Sequence, residues 1–197
     1  MILVRHGETA ANRARHFAEH DEIPLTQTGR EQARELAALL ARDFKPDVLL
    51  SSPYIRARET SEIIGAALSL EPEILPGTHE RNFGSLKGHP YERMGELMLA
   101  DALYDATQPW HWTPPDGESL EQVRHRTAAA IETLHSRGVD EVVLVCHGAV
   151  IQSICAHVTG EWRETFVPPN CGFVVIEHLG EKWSHPVIAG EWECLDT

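Results

Sequence analysis

Lysine is scarce in this 197-residue chain: Lys45, Lys87 and Lys182 are its three lysines, against fourteen arginines. Positive charge is thin altogether. Lys+Arg is 17 against Asp+Glu 30, a formal net charge of −13. Over most of its surface such a chain repels nucleic acid and anionic membrane, so neither is an expected partner. An anionic ligand needs a local basic site, and arginine suits one, because its guanidinium grips phosphates or carboxylates through two parallel hydrogen bonds. Cysteine is sparse too. Cys146, Cys155, Cys171 and Cys194 show no CxxC spacing, which excludes a disulfide scaffold and fits reduced thiols in a cytoplasmic protein. No run approaches 18 apolar residues, so no membrane-spanning helix is expected. Arg5 and Glu8 interrupt the start, so no secretory leader is read. Repeats and low-complexity tracts are absent. The length predicts one domain, residues 1–197, large enough to bury roughly 70 % of its unfolded surface without staples.

What is present is an alternation of strand and helix signals. Met1–Val4 is a short apolar run that stops at Arg5-His6-Gly7. Thr28-Gly29-Arg30-Glu31 has a capping-box pattern, with Ala33, Leu36, Ala37, Leu40 and Ala41 at helical spacing behind it. Asp47–Ser52 reads as a strand stopped by Pro53, followed by a helix over Ile55–Leu68. Leu120–Leu134 reads as an amphipathic helix, Glu141–Cys146 as a buried strand and Ala149–Val158 as a helix. Gly172–Leu179 reads as a last strong strand and Pro186–Ile188 as an edge strand. Residues 76 to 118 carry prolines, glycines and the pair Trp110 and Trp112. They predict long loops with one helix near Tyr91–Leu103, and a loop region that long is more often functional than idle. Nearly continuous apolar strands are buried on both faces. The expected fold is therefore a three-layer α/β/α sandwich with a mainly parallel sheet.

Two strands end alike, in Arg5-His6-Gly7 and in Cys146-His147-Gly148. Ligands in open parallel sheets sit beyond the carboxyl ends of the strands. A glycine after each histidine lets the backbone turn and leaves the imidazole clear. A third strand end delivers Arg56 and Arg58 at the start of a helix, whose N-terminus adds positive potential. Convergent arginines and histidines in a chain of net −13 describe a site for a dianion, and phosphate fits better than carboxylate. There is no Walker lysine motif, so this is no P-loop.

Arg5-His6-Gly7-Glu8-Thr9 followed by Asn12 resembles the signature of the histidine phosphatase superfamily, the phosphoglycerate mutase-like proteins. The resemblance continues in order through Pro24-Leu25-Thr26-x-x-Gly29, Ser51-Ser52-Pro53-x-x-Arg56-Ala57-x-x-Thr60, Glu80-x-x-Phe83-Gly84-x-x-x-Gly88, Asp116-Gly117-Glu118-Ser119 and Val145-Cys146-His147-Gly148. It implies a phosphomonoesterase that forms a phosphohistidine on His6. Arg5, Arg56 and His147 would hold the phosphate, Glu80 would serve as general acid and then base, and Asn12 would line the pocket. Neutral imidazole is the nucleophilic form. Phosphoryl transfer needs positioning and charge neutralisation, which four donors supply with no cofactor or metal. The implied partner is a small phosphorylated metabolite.

Other readings of single residues remain. Thr9 either contacts phosphate or caps a turn. Glu73 competes with Glu80 as the acid. Arg58 reads as a surface cation, Cys146 as core, and the i, i+4 pair His16 and His20 as a weak zinc motif without HExxH. Trp110 and Trp112 form part of a substrate wall or merely pack a loop. Within the family, mutases carry extra basic residues for a sugar acid, whereas residues 89–118 hold a single cation, Arg93. The chain is therefore more similar to the short phosphatase branch, with residues 84–118 facing the substrate. A cofactor-dependent phosphoglycerate mutase and a non-enzymatic binding member are the alternatives. The residues do not indicate an oligomeric state.

Overall fold

The computed structural model describes residues 1–135, 138–163, 166–179 and 182–188. Cys194 lies outside them. In chain order the elements are β1 (Ile2–Arg5), α1 (Ala10–Ala14), α2 (Gln27–Asp43), β2 (Val48–Ser51), α3 (Ile55–Leu68), β3 (Glu73–Ile74), α4 (Glu92–Ala100), α5 (Leu120–His135), β4 (Val142–Cys146), α6 (Gly148–Thr159), β5 (Phe173–Val175), β6 (His178–Leu179), β7 (Lys182–Trp183) and β8 (Val187–Ile188). Six strands form one sheet in the order β3-β2-β4-β1-β5-β8. The first four are mutually parallel, while β5 runs antiparallel to both β1 and β8. No helix among the described residues is long and apolar enough to cross a membrane.

The alternation along each strand divides the core. Ile2 and Val4 of β1, with Leu49 of β2 and Val143 and Val145 of β4, pack against Leu36, Ala37 and Leu40 of α2 and Ala57 and Ile64 of α3. Leu3, Leu50 and Leu144 point the other way, onto Val123 and Ile131 of α5 and Val150, Ile151 and Ile154 of α6. Both sheet faces are therefore apolar, so these strands carry no polar alternation. The three-layer expectation holds.

Three local expectations need correction, and two short elements carry no sequence signal. α2 is capped by Thr26, whose hydroxyl accepts from the Gly29 N–H at 3.0 Å; Thr28 lies already inside the first turn. Thr26 was missed because no glutamate follows it at the capping-box position. The predicted strand Gly172–Leu179 breaks after Val175 because the hydrogen-bonding partner changes. Ile176 donates to the Met1 carbonyl, then Glu177 exchanges bonds with Ser184, and β6 turns away to pair with β7. The helix predicted near Tyr91–Leu103 stops at Ala100, because the Asp101 carboxylate accepts from the Leu103 N–H and from the Trp112 indole. Finally, the five-residue α1 and two-residue β3 are too short to leave a period in the sequence.

Beyond the strand ends, residues 84–118 pack a third, smaller cluster. Phe17, Leu86 and Trp112 are buried there beneath Phe83, Tyr91, Met94 and Met98. The loop leaving β1 is pressed onto the start of α2 by two glycines. A Cβ on Gly7 would lie 2.5 Å from the Gly29 carbonyl oxygen, and one on Gly29 would lie 2.2 Å from that of Glu8. Glycine to alanine inside a helix ordinarily stabilises by roughly 0.5–1 kcal/mol. Here backbone meets backbone, so the sign reverses. Gly29→Ala should destabilise by about 1–3 kcal/mol, read as a lowered urea midpoint with unchanged m-value. A raised midpoint would show that the contact relaxes freely.

Candidate active site

The register of β1 on β4 builds the site. Arg5 is level with Cys146, so the next residues, His6 and His147, leave the sheet side by side. Their ring centroids are 5.2 Å apart although the residues lie far apart in the chain. β2 joins from the other flank of β4: the Ser52 N–H donates to the Val145 carbonyl at 2.9 Å, and Pro53 follows. α3 then starts at Ile55, which places Arg56 and Thr60 on its buried face. Thr60 accepts from the Gly7 N–H at 3.1 Å and donates to the Arg56 carbonyl, tying the β1 loop to α3.

The tautomer of His6 follows from its partner. His6 Nδ1 lies 2.8 Å from the Gly7 carbonyl oxygen. A carbonyl can only accept, so Nδ1 carries the proton and Nε2 keeps its lone pair. Arg56 Nε–H points at that lone pair from 3.3 Å. His147 Nε2 lies 2.7 Å from the Ser52 hydroxyl; with that hydroxyl donating, the ring proton of His147 sits on Nδ1. Burial and the Arg56 charge hold both imidazoles well below their usual 6.5, in the neutral form.

Among the described residues, three buried nitrogens have no hydrogen-bond partner: Arg5 Nε, Arg56 Nη1 and His147 Nδ1. A buried donor without an acceptor costs about 1–3 kcal/mol. Arg5 and Arg56 line a cavity of about 420 Å³ that also reaches His6, Asn12 and Glu80, with His147 buried beside His6, so together they make a cradle that can take an oxyanion. Glu80 arrives on the loop after β3. One carboxylate oxygen accepts from the Arg81 N–H at 2.8 Å. Desolvation raises its carboxyl above the usual range, outweighing that hydrogen bond and the nearby arginines.

A sequence profile of the histidine phosphatase superfamily (branch 1) matches residues 1–188. The chain belongs to that superfamily. It is 31% identical over 187 residues to the uncharacterized phosphatase PhoE of Bacillus subtilis, covering 93% of this chain and 90% of that one. It is 32% identical to the metal-independent phosphoserine phosphatase of Arabidopsis thaliana, over 81% of this chain and 68% of the other. The alpha-ribazole phosphatase of Shigella flexneri superposes with a TM-score of 0.78 at 25% identity, covering 95% and 94% of the two chains.

In this histidine phosphatase chain, Arg5, His6, Thr9, Asn12, Arg56 and Glu80 all line one cavity, and His147 is buried beside His6. Thr9 caps α1 and gives its hydroxyl proton to Asn12 Oδ1 at 2.9 Å, so its side chain positions Asn12. Arg58 and Glu73 are exposed, Glu73 on the edge strand β3. His16 turns Nδ1 to the Ala14 carbonyl, while His20 stands exposed beside Glu19. Cys146 is fully buried core, and burial pushes its thiol up. Trp110 and Trp112 both line the cavity, and Trp112 is also 93 % enclosed, its relative exposure being 7%.

Several supporting residues were not singled out in the sequence. Ser52 orients His147. Asn170 donates to the His6 carbonyl at 3.0 Å and reaches Asn12. Arg126 of α5 donates to the carbonyls of Gly77 and Glu80 and to the Glu118 carboxylate, clamping the Glu80 loop. Ser52 and Glu118 stood inside quoted motifs; Asn170 and Arg126 carried no local signal.

Unpaired donors make a binding prediction. Inorganic phosphate at 100 times its Kd should stabilise the protein by about 2.7 kcal/mol, read as a raised Tm. In Arg56→Met that gain should vanish, while the ligand-free Tm stays level or rises because an unpaired buried donor has gone. An equal gain in the variant would place the anion elsewhere.

Proposed function

We propose that the chain is a phosphomonoesterase working through a phosphohistidine on His6, on a small phosphorylated metabolite. One observation carries the reading: a neutral imidazole whose Nε2 is free of its own proton, in a site with three buried nitrogens unpaired among the described residues. The phosphatase names of the relatives in Bacillus subtilis and Arabidopsis thaliana support it.

In the first step the His6 Nε2 lone pair forms a bond to phosphorus while the phosphorus–oxygen ester bond breaks. The phosphate oxygens accept from Arg5, Arg56 and His147. A phosphate oxygen is a stronger acceptor than imidazole, so it draws the Arg56 donor off Nε2 and frees the nucleophile. The leaving alkoxide takes the proton of the Glu80 carboxyl. In the second step Glu80, now a carboxylate, takes a proton from water. The hydroxide oxygen bonds to phosphorus, the nitrogen–phosphorus bond breaks and its electron pair returns to Nε2. Asn12, held by Thr9, Asn170 and Tyr91, lines the pocket.

No step calls for a metal or a cofactor, and the name of the Arabidopsis thaliana relative includes "metal-independent". A non-enzymatic role fits poorly with a complete set of acid, nucleophile and anion donors. A cofactor-dependent phosphoglycerate mutase would need cations for the sugar acid beyond the cradle. Four cysteines without CxxC spacing fit the reducing environment of the cytoplasm.

Two experiments test the chemistry. Rapid quench in EDTA with ³²P-labelled substrate should trap an acid-labile, alkali-stable adduct in the wild type and none in His6→Ala. An adduct that survives the substitution removes His6 from the role. For Glu80, the acid must be protonated in the first step. Its raised carboxyl keeps that proton to a higher pH than an ordinary glutamate, and alkyl-ester turnover should fall as pH rises through the raised value. Glu80→Gln should abolish that limb and slow alkyl phosphates by about 10²–10⁴-fold, with a far smaller loss on p-nitrophenyl phosphate, whose phenolate departs unaided. Equal losses on both esters would make Glu80 structural.

A further inference from the structure

The cradle occupies one end of the cavity, and the rest is left for whatever the phosphate is attached to. That remainder is walled by Phe17, Phe83, Met94, Met98, Trp110 and Trp162. Trp110, before α5, and Trp162, after α6, stack with ring planes 11° apart and centroids 5.9 Å apart. Two chain segments distant in sequence thus meet in one stacked aromatic pair.

The cations of this wall are already engaged. Outside the cradle, the basic side chains lining the cavity among the described residues are Arg81, Arg163 and His16. Arg81 donates to the Glu118 carbonyl at 2.6 Å and to the Trp112 carbonyl at 3.1 Å, with its guanidinium over the Phe83 ring. Arg163 is paired with Glu161, Nε to Oε2 at 2.9 Å. His16 faces the Ala14 carbonyl at 2.6 Å. A second anion on the substrate would therefore enter an aromatic wall with no free cation, or would have to displace Glu161 from Arg163. An anion desolvated without a partner is strongly disfavoured, whereas an apolar body gains from leaving water.

We infer that the preferred substrates are monoesters of uncharged aromatic or alkyl alcohols, selected by the Trp110–Trp162 wall, over esters that carry a second anionic group. The inference rests on the phosphatase reading above and adds the substrate class.

The test compares alkyl esters, so that Glu80 meets alkoxide leaving groups throughout: 2-phenylethyl phosphate, ethyl phosphate, 3-phosphoglycerate and phosphoserine. Wild-type kcat/KM should favour 2-phenylethyl phosphate by at least about tenfold over each of the others, within the range that apolar pockets deliver. Trp110→Ala should lower the phenylethyl-to-ethyl ratio by about tenfold. Met98→Lys, which adds a free cation to the wall, should move the phenylethyl-to-phosphoglycerate ratio toward phosphoglycerate by a similar factor. A wild type that prefers phosphoglycerate or phosphoserine overturns the inference, and if Arg163→Ala removes that preference, Arg163 is the residue gripping the second anion. Ratios unmoved in both wall variants overturn it as well, with the phosphatase reading left standing. If no ester is hydrolysed, that reading fails and takes the inference with it.

Discussion

The in-register pairing of β1 with β4 is the constraint on which the site depends. Two parallel strands matched at Arg5 and Cys146 must release their next residues at the same height and on the same edge. A slip of one residue would send one ring to the opposite face of the sheet. The slip is prevented by the core: Leu3 and Leu144 face α5 and α6, while Val4 and Val145 face α2 and α3. Hydrophobic packing on both faces thus sets the spacing of two imidazoles to 5.2 Å.

That packed frame makes an unfavourable arrangement tolerable. Buried Arg56, half-buried Arg5 and two neutral histidines crowd one sheet edge, with three nitrogens left unpaired among the described residues. In water the same groups would be solvated. Here they are held by Pro168, which accepts from Arg5 at 2.9 Å, by Ser52, and by Gly7. Under the proposed function, the energetic cost sits in the ligand-free protein and is released when an oxyanion arrives, which is how preorganised electrostatic sites work. The surrounding charge of −13 does not cancel this, because exposed carboxylates are screened within about 8–10 Å at ordinary ionic strength.

Much of this was legible in the sequence, and the reasons separate what was from what was not. Long elements with a clear period could be read closely: α3 spans Ile55–Leu68 as expected, and α5 and β4 differ by a residue at one end. The histidines, Arg5, Arg56 and Glu80 could be read because each stands in a motif at a strand end or loop. Residues that act by reaching across the fold could not. Arg126 lies on a helix like any surface arginine, and only tertiary structure shows it holding the Glu80 loop from 46 residues away. Asn170 follows two prolines and contacts His6 across nearly the whole chain. The cap at Thr26 lacks the capping-box glutamate that would mark it, and its hydroxyl also donates across the fold to the Glu8 carboxylate at 2.7 Å.

The division between strand ends and the intervening segment has a consequence for the reaction. The cradle is built from β1, α3 and the start of α6, all parts of the packed sandwich, so it is rigid and indifferent to the alcohol attached. The wall is built from residues 84–118 and the turn after α6, whose small cluster around Phe17, Leu86 and Trp112 is separate from both main cores. Under the proposed chemistry, an apolar alcohol lying on that wall occupies the space beside Glu80 that the hydrolytic water must later use. While it is bound, few water molecules compete for phosphorus, and the low dielectric strengthens the arginine contacts to the transferring group. Once the alcohol leaves, water enters beside a Glu80 that has just given up its proton and can act as base. The order of events, transfer first and hydrolysis second, then follows from the shape of one cavity and from a single carboxyl group at the junction of its polar and apolar ends.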